Sequence, residues 1–412
     1  MLERARSLDA ADPLAAFRDR FDVPEGVIYL DGNSLGCLPK DTPARLEQVV
    51  RGEWGRDLIR SWNSADWIHL PQRVGAKIAP LIGAQPHEVI ACDSVSVNLY
   101  KLISAALGMR PGRKTVLSEP GNFPTDVYMI EGLEKQGLAQ RRLVAREQLA
   151  EALDDDVALL LLTHAHYKTG ELFDMEGLTR AAHEAGALVL WDLSHSGGAL
   201  PVDLTACGAD FAVGCGYKYL NGGPGAPAYA FVAQRHHEAI AQPLSGWMGH
   251  AAPFEFTPHY RPAPGIARYL CGTPAVIAMS ALECGVDTVL AAEPLGGMAA
   301  LRAKSLALSQ AFAALVEARC GGHGLVRVSP DDDRLRGSQV CLAHPEMGYP
   351  AMQALIARGV IGDFRAPDIL RFGFTPLYLR FVDIWDAVEH LRQVLERGEW
   401  REARFHQRSA VT

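Results

Sequence analysis

The chain of 412 residues reads as an α/β protein, with a large domain on a mostly parallel central sheet and a smaller α+β C-terminal domain. Three observations carry that reading. From His87 onward, short apolar runs alternate with stretches of helical period, the signature of βαβ units. The length exceeds what one hydrophobic core usually serves. Loops rich in glycine, proline and small polar residues follow the apolar runs, and in open α/β sheets ligands bind beyond the carboxyl ends of the strands.

Composition narrows the function classes. Apolar residues at 48% and charged residues at 21% exclude a disordered or collagen-like chain. The formal net charge is −8, and without a basic run or basic-aromatic cluster neither nucleic acid nor an anionic membrane is expected as partner. Eight cysteines stand singly, without a CxxC pair, and read as reduced, mostly buried thiols of a cytoplasmic protein. The opening MLERARSLDAADPLAAF lacks the apolar core of a signal peptide. The longest aliphatic run, Val157 to Leu162, is far too short to span a bilayer and reads as a buried strand.

Taken in order, residues 1–20 predict an amphipathic helix and Val27 to Leu30 a short strand. That strand delivers the loop from Asp31 to Gly36, where Asn33 and Ser34 either meet a ligand or decorate a plain polar turn. Helical periodicity resumes over 43–59, followed by a Trp-rich segment whose Trp62 and Trp67 either wall a pocket or fill core. Val89 to Ala91 predicts a strand, and Val97, Tyr100, Ile103 and Leu107 recur at helical spacing after it. Ser94 or Ser96 caps that helix, whose free N–H groups would also suit a phosphate. Thr115 to Ser118 forms the next strand and places Phe123 and Asp126 in a loop at its carboxyl end. Val157 to Thr163 follows, then His164 and His166, a pair too sparse for a metal site. A helix over 175–185 ends at Gly186, and Ala187 to Trp191 runs as a strand into Asp192.

An aspartate at the end of so apolar a strand demands a partner. Phe211 to Val213 supplies the neighbouring strand, then Gly214 and Gly216, then Tyr217 and Lys218, before the apolar run 228–232. A lysine on a glycine-rich connection between buried strands is either a surface loop residue or a partly desolvated amine of the kind a Schiff base needs. Asp192, His195 and Lys218 thus converge on one sheet edge. Residues 243–274 are poorly suited to regular structure, a helix over 275–290 closes the large domain, and the run 298–318 begins the smaller one. Within the apolar stretch 369–378, Arg371 either faces water on an edge strand or points inward toward an anion. The expected organisation is an N-terminal segment, 1–60, packing with the small domain, a large domain over 61–290 and a small domain over 291–412.

Asp192, Lys218 one strand unit later, and Phe123 on an earlier loop are the set that a pyridoxal phosphate enzyme of the aspartate aminotransferase fold requires. The segments YLDGNSLG (29–36), FPTD (123–126), WDLSHSGGALPVDL (191–204), GCGYKYLNGGPGAPAYAFV (214–232) and RFGFTPLY (371–378) together closely resemble the kynureninase family over nearly the whole chain. The resemblance implies the fold of PLP-dependent transferases, fold type I, and the cofactor pyridoxal 5′-phosphate. It implies hydrolysis of L-kynurenine, or its 3-hydroxy derivative, to anthranilate or 3-hydroxyanthranilate and L-alanine, in tryptophan degradation.

At matching positions, Lys218 resembles the Schiff-base lysine and Asp192 the partner of the pyridine nitrogen, with His195 and Tyr217 as further cofactor contacts. Tyr217 is also implied as a proton donor. Phe123 and Asp126 match the ring-stacking and cofactor-pocket positions, Val95 and Ser96 the phosphate contacts, and Thr163 a position near the ring. Trp247 and Thr273 fall where the family supplies cofactor contacts from the other subunit of a homodimer whose active site lies at the subunit interface. Arg371 is similar to the arginine that binds the substrate carboxylate, with Ser34 and Trp62 as further substrate neighbours. The same residues admit two rivals: a cysteine desulfurase or small-substrate transaminase on this fold, and a catalytically idle pyridoxal phosphate protein. A desulfurase would need a mobile cysteine late in the chain, and neither Cys320 nor Cys341 sits in a recognisable loop for it.

Overall fold

The computed structural model describes residues 1–408, in two compact units. The larger gathers residues 42–167 and 173–287; the smaller gathers residues 1–41, 168–172 and those from 288 onward. The sequence alone predicts the corresponding breaks after 60 and 290. Residues 42–60 group with the larger unit because Glu53 ties them to Ser61 and Trp67. Its carboxylate accepts from Arg45 and from Trp67 Nε1, at 2.5 and 2.8 Å, and its carbonyl accepts from Ser61 Oγ at 2.6 Å.

In the larger unit a seven-stranded sheet runs in the order Val89–Ala91, Tyr229–Val232, Phe211–Gly214, Leu188–Asp192, Val157–Thr163, Thr115–Ser118, Gln140–Leu143. The five from Phe211–Gly214 to Gln140–Leu143 are parallel; Tyr229–Val232 runs against them, and Val89–Ala91, antiparallel to it, runs in their direction again. Every strand except the last is buried residue by residue, as continuous apolar runs in a sheet covered on both faces should be. Gln140–Leu143 was not expected from the sequence. Its wording, QRRL, suits an edge, where arginines keep the strand from pairing further. The helix Val95–Met109 packs Leu99, Leu102, Ile103 and Ala106 against Val116, Leu159, Leu161, Leu190 and Val213, which share one core.

Three expectations need correction. Residues 1–20 are not one helix: an α-helix covers Leu2–Ala10, and after Pro13 the chain forms only a 3₁₀ turn over Ala15–Arg20. The 43–59 helix is α-helical over Thr42–Glu47 and widens to a π-helix over Gln48–Asp57. Phe123 and Asp126 do not lie in a loop. Phe123 is the N-cap of a helix over Pro124–Lys135, with Pro124 at the first position where its missing N–H costs nothing, and Asp126 lies in the first turn.

The smaller unit holds a four-stranded antiparallel sheet in the order Asp363–Arg365, Ile369–Gly373, Gln339–Ala343, Val326–Arg327. The helices Gly297–Cys320, Gly348–Ala357 and Phe381–Glu396 accompany it. Residues from the start of the chain join through a parallel pairing of Ile28–Tyr29 with Val360–Ile361. Among the described residues no helix is long and apolar enough to cross a membrane.

Candidate active site

Parallel strands put their carboxyl ends side by side, and the larger unit uses that alignment. Thr163 and Asp192 are register partners at the ends of adjacent strands, and Asp192 pairs with Val213 on the next. The chain leaves that last strand through Gly214, and Lys218 lies four residues on. Asn221 closes the turn by donating its N–H to the Lys218 carbonyl at 3.0 Å, in a left-handed conformation (φ 54°) that asparagine tolerates better than most residues. Glycine at 214 is required by packing. A Cβ there would lie 2.3 Å from the Tyr229 hydroxyl, and one at Gly197 would lie 2.2 Å from the same oxygen. Tyr229 is fully buried, and its hydroxyl has no hydrogen-bond partner among the described residues.

Lys218 is buried, with Nζ 3.1 Å from His195 Nε2 and 5.7 Å from the centre of the Phe123 ring. It shares one cavity with Val95, Ser96, Phe123, Thr163, Asp192, His195 and Tyr217, and also with Ser94, Thr125, Tyr167, Ser194, Cys215, Ala226 and Ala228. Phe123 is steadied edge-on by Tyr167, at 5.2 Å between centroids. Asp192 accepts the Ser194 N–H at 2.8 Å. Burial raises its pKa above the ordinary carboxylate value, while Ser194 and the charge of Lys218 pull the other way. Asp126, also fully buried, is pushed further up, first by burial and then by the nearby charge of Asp192. Its Oδ2 lies 3.2 Å from Thr163 Oγ1, and its Oδ1 has no partner among the described residues.

One feature of this site went unread in the sequence, and one open alternative is decided. Asn122 is the fastening behind it: Oδ1 accepts from the Phe123 and Thr163 N–H groups, at 2.8 and 3.2 Å, and from Thr163 Oγ1, while Nδ2 donates to Ser118 Oγ at 3.0 Å. No local pattern marks a buried asparagine of this kind. Ser94 rather than Ser96 caps the 95–109 helix, accepting from the Val97 N–H at 3.3 Å, which leaves Ser96 to face the cavity.

Trp62, Trp247 and Thr273 do not line that cavity. Trp62 packs edge-on against Trp67 and against the core; Trp247 and Thr273 are exposed, the former edge-on to Phe254 at 5.6 Å. His164 and His166 serve local structure, the first beside Ser196 Oγ and the second beside the Gly121 carbonyl, each at 2.9 Å.

Arg371 and Ser34 belong to the smaller unit, in a buried polar cluster of their own. The strand carrying Arg371 lies inside its sheet, and Arg371 is 1% exposed, so it does not face water. Its register partner Asp363 explains how a guanidinium is buried there. Nε donates to Asp363 Oδ1 at 2.7 Å, Nη2 donates to Oδ2 and to Ser34 Oγ, and Ser34 Oγ in turn donates to Asp363 Oδ2 at 2.8 Å. Arg365 adds a further donor to Asp363 Oδ2 at 2.6 Å. Asp31 stands at the margin of this cluster, its carboxyl pushed up to about 7 by burial and by the charge of Asp363.

The kynureninase C-terminal domain family matches residues 301–391, and the aminotransferase class-V family matches residues 63–344. The kynureninase of Burkholderia mallei (strain SAVP1) is 53% identical over 417 residues, covering 100% of this chain and 99% of that protein. The kynureninase of Pseudomonas fluorescens is 51% identical over 413 residues, covering 98% of each. Among solved structures, the apo cysteine desulfurase of Thermococcus onnurineus NA1 superposes with a TM-score of 0.78 at 15% identity, covering 93% of this chain and 98% of that one. A C-DES variant with glycine covalently linked to its PLP cofactor gives the same TM-score at 15% identity, covering 91% and 98%. At such identity these structures speak for the fold alone, that of PLP-dependent fold type I enzymes.

Proposed function

The chain belongs to the kynureninase family, and from that premise we propose that it hydrolyses L-kynurenine to anthranilate and L-alanine with pyridoxal 5′-phosphate as cofactor. The observation that carries the reading is the meeting of Lys218, His195, Asp192 and Phe123 in one cavity at the carboxyl ends of parallel strands. The donor set fits the cofactor. Asp126 and Asp192 are buried carboxylates short of positive charge, which a protonated ring nitrogen would supply, and the start of the 95–109 helix offers N–H groups to a phosphate.

Bound there, the cofactor supplies an electron sink that makes bonds at the substrate's α- and β-carbons breakable. Lys218 would hold it through Nζ, and the same amine stands to carry the substrate's α-proton. Asp192 would keep the ring nitrogen protonated, Phe123 would cover the ring, and Thr163, Asp126 and His195 would complete the pocket. Val95, through its backbone, and Ser96 would hold the phosphate. Tyr217 returns a proton to the β-carbon that becomes the alanine methyl. Arg371 orients the substrate α-carboxylate by its planar fork, with Ser34 beside it and Trp62 as a substrate neighbour.

The same reading includes the 3-hydroxy substrate, a cytoplasmic homodimer with its active site at the subunit interface, and Trp247 and Thr273 reaching the partner's cofactor. It treats residues 61–290 as the cofactor-binding domain and 291–412, with the N-terminal segment, as the small one. The experiment is direct: purified protein is mixed with pyridoxal 5′-phosphate and L-kynurenine, and the fluorescence of anthranilate is followed. Absence of anthranilate, or sulfide release from cysteine in its place, would sink the assignment. Cys320 ends a helix and Cys341 lies in a strand, both buried, so neither is placed as a mobile desulfurase cysteine.

A further inference from the structure

Lys101 takes no part in the cavity of Lys218, yet it is fully buried in the larger unit. Lysine is seldom buried unless its ammonium is compensated. Here Nζ donates to Asp93 Oδ2 at 2.9 Å and to the Tyr269 carbonyl, and it lies 3.8 Å from the centre of the Tyr269 ring. Asp93 turns the chain from the Val89–Ala91 strand into the 95–109 helix, with a left-handed backbone (φ 52°) that non-glycine residues rarely keep unless held. Its carbonyl is also fixed, accepting from the Ala228 N–H at 2.9 Å.

The next three residues, Ser94, Val95 and Ser96, line the cavity of Lys218. Helical side chains lean toward the helix N-terminus, so Lys101 reaches back beneath this turn from nearly two turns along the helix. The Tyr269 end is anchored as well: the Tyr269 hydroxyl donates to the Asn98 carbonyl at 3.0 Å, and Cys271 Sγ lies 3.7 Å from Asp93 Oδ1.

We infer that Lys101 is a positioning residue for the cofactor's phosphate: through Asp93 it holds the Ser94–Ser96 turn, and the N–H groups that open the helix, in the orientation that receives the phosphate. This rests on the cofactor reading above. Asp93→Ala and Lys101→Met each remove the tie. Asp93→Asn keeps an acceptor for the ammonium and tolerates the left-handed backbone.

Dissociation constants are measured by absorbance titration with two probes, pyridoxal 5′-phosphate and pyridoxal, which differ only in the phosphate. Lys101→Met and Asp93→Ala are expected to bind pyridoxal 5′-phosphate about tenfold more weakly, and pyridoxal within about twofold of the unaltered chain. Asp93→Asn should stay within about threefold for both. Equal weakening for the two probes would reveal general damage and overturn the inference, as would an unchanged affinity for pyridoxal 5′-phosphate. Tighter binding by Asp93→Asn would point to through-space charge and overturn the mechanical role. If Lys101→Met does not fold, Asp93→Ala, with its partly exposed side chain, carries the same comparison. Failure of the unaltered chain to bind pyridoxal 5′-phosphate would defeat the cofactor reading, whereas normal binding with unselective variants would defeat this inference alone.

Discussion

The cavity of Lys218 and the cluster around Arg371 both bury charge, and they differ in how the charge is compensated. Around Lys218 the neighbour of the amine is an imidazole, while Asp126 and Asp192 are carboxyls whose ionisation burial resists. Around Arg371 the balance is made within the protein: Asp363 meets the guanidinium on two atoms, and Ser34 and Arg365 complete the arrangement. The first region is short of a cation and suits a ligand that brings one. The second is satisfied as it stands, so on the proposed reading of Arg371 a substrate carboxylate would be admitted beside Asp363 rather than into an empty anion hole. On that reading, cofactor capture and substrate orientation are different physical problems.

The contrast can be broken most decisively at its first member. Lys218→Ala should lower turnover of L-kynurenine by more than about 10³-fold and erase the absorbance of the cofactor bound through the lysine. Persistence of both signals would leave the cavity without its assigned function. At the second member, Asp363→Ala leaves a buried guanidinium uncompensated and should cost about 3–5 kcal/mol in urea unfolding. A loss under about 1 kcal/mol would show that the cluster is not self-satisfied. Arg371→Lys keeps the charge but not the fork, so KM should rise about 10- to 100-fold with cofactor affinity unchanged. Weakened cofactor binding in that variant would merge the two problems into one.

The smallest expected effect is a dependence on pH. Asp31 has a folded-state pKa of about 7, above its ordinary value of 3.8, so between those values the native state binds more protons than the unfolded one. Stability should then be fullest at the acid end of this window and fall as pH rises through it. In Asp31→Asn that fall should shrink by on the order of 2 kcal/mol, read from urea midpoints at pH 5 and pH 8. An unchanged slope would remove Asp31 from the cluster's electrostatics.

Legibility in the sequence depends on where the structural information is stored. The buried parallel strands were legible because burial on both faces writes an unbroken apolar run, whereas the edge strand Gln140–Leu143 carries its arginines outward and reads as loop. The Pro124–Lys135 helix was missed because proline reads as loop punctuation even where it stands at the first helical position. Asp192 and Lys218 stood out because a charge at the end of an apolar strand is costly without a purpose. Arg371 was ambiguous for a different reason. Its burial depends on Asp363, a register partner on the neighbouring strand, and on Ser34, more than three hundred residues away. Asn122 and Lys101 were invisible for the same reason, since each is defined by hydrogen bonds to distant segments.

The tyrosine wedged between Gly197 and Gly214 has a consequence for descent. A phenol filling the space of two absent side chains makes three positions, 197, 214 and 229, a single unit of inheritance. A side chain gained at either glycine is tolerable only in a background that has already given up the ring at 229. Relatives that drift away from glycine at these places should therefore have changed position 229 first, and the order of those substitutions would be recorded in any lineage that left the family's chemistry behind.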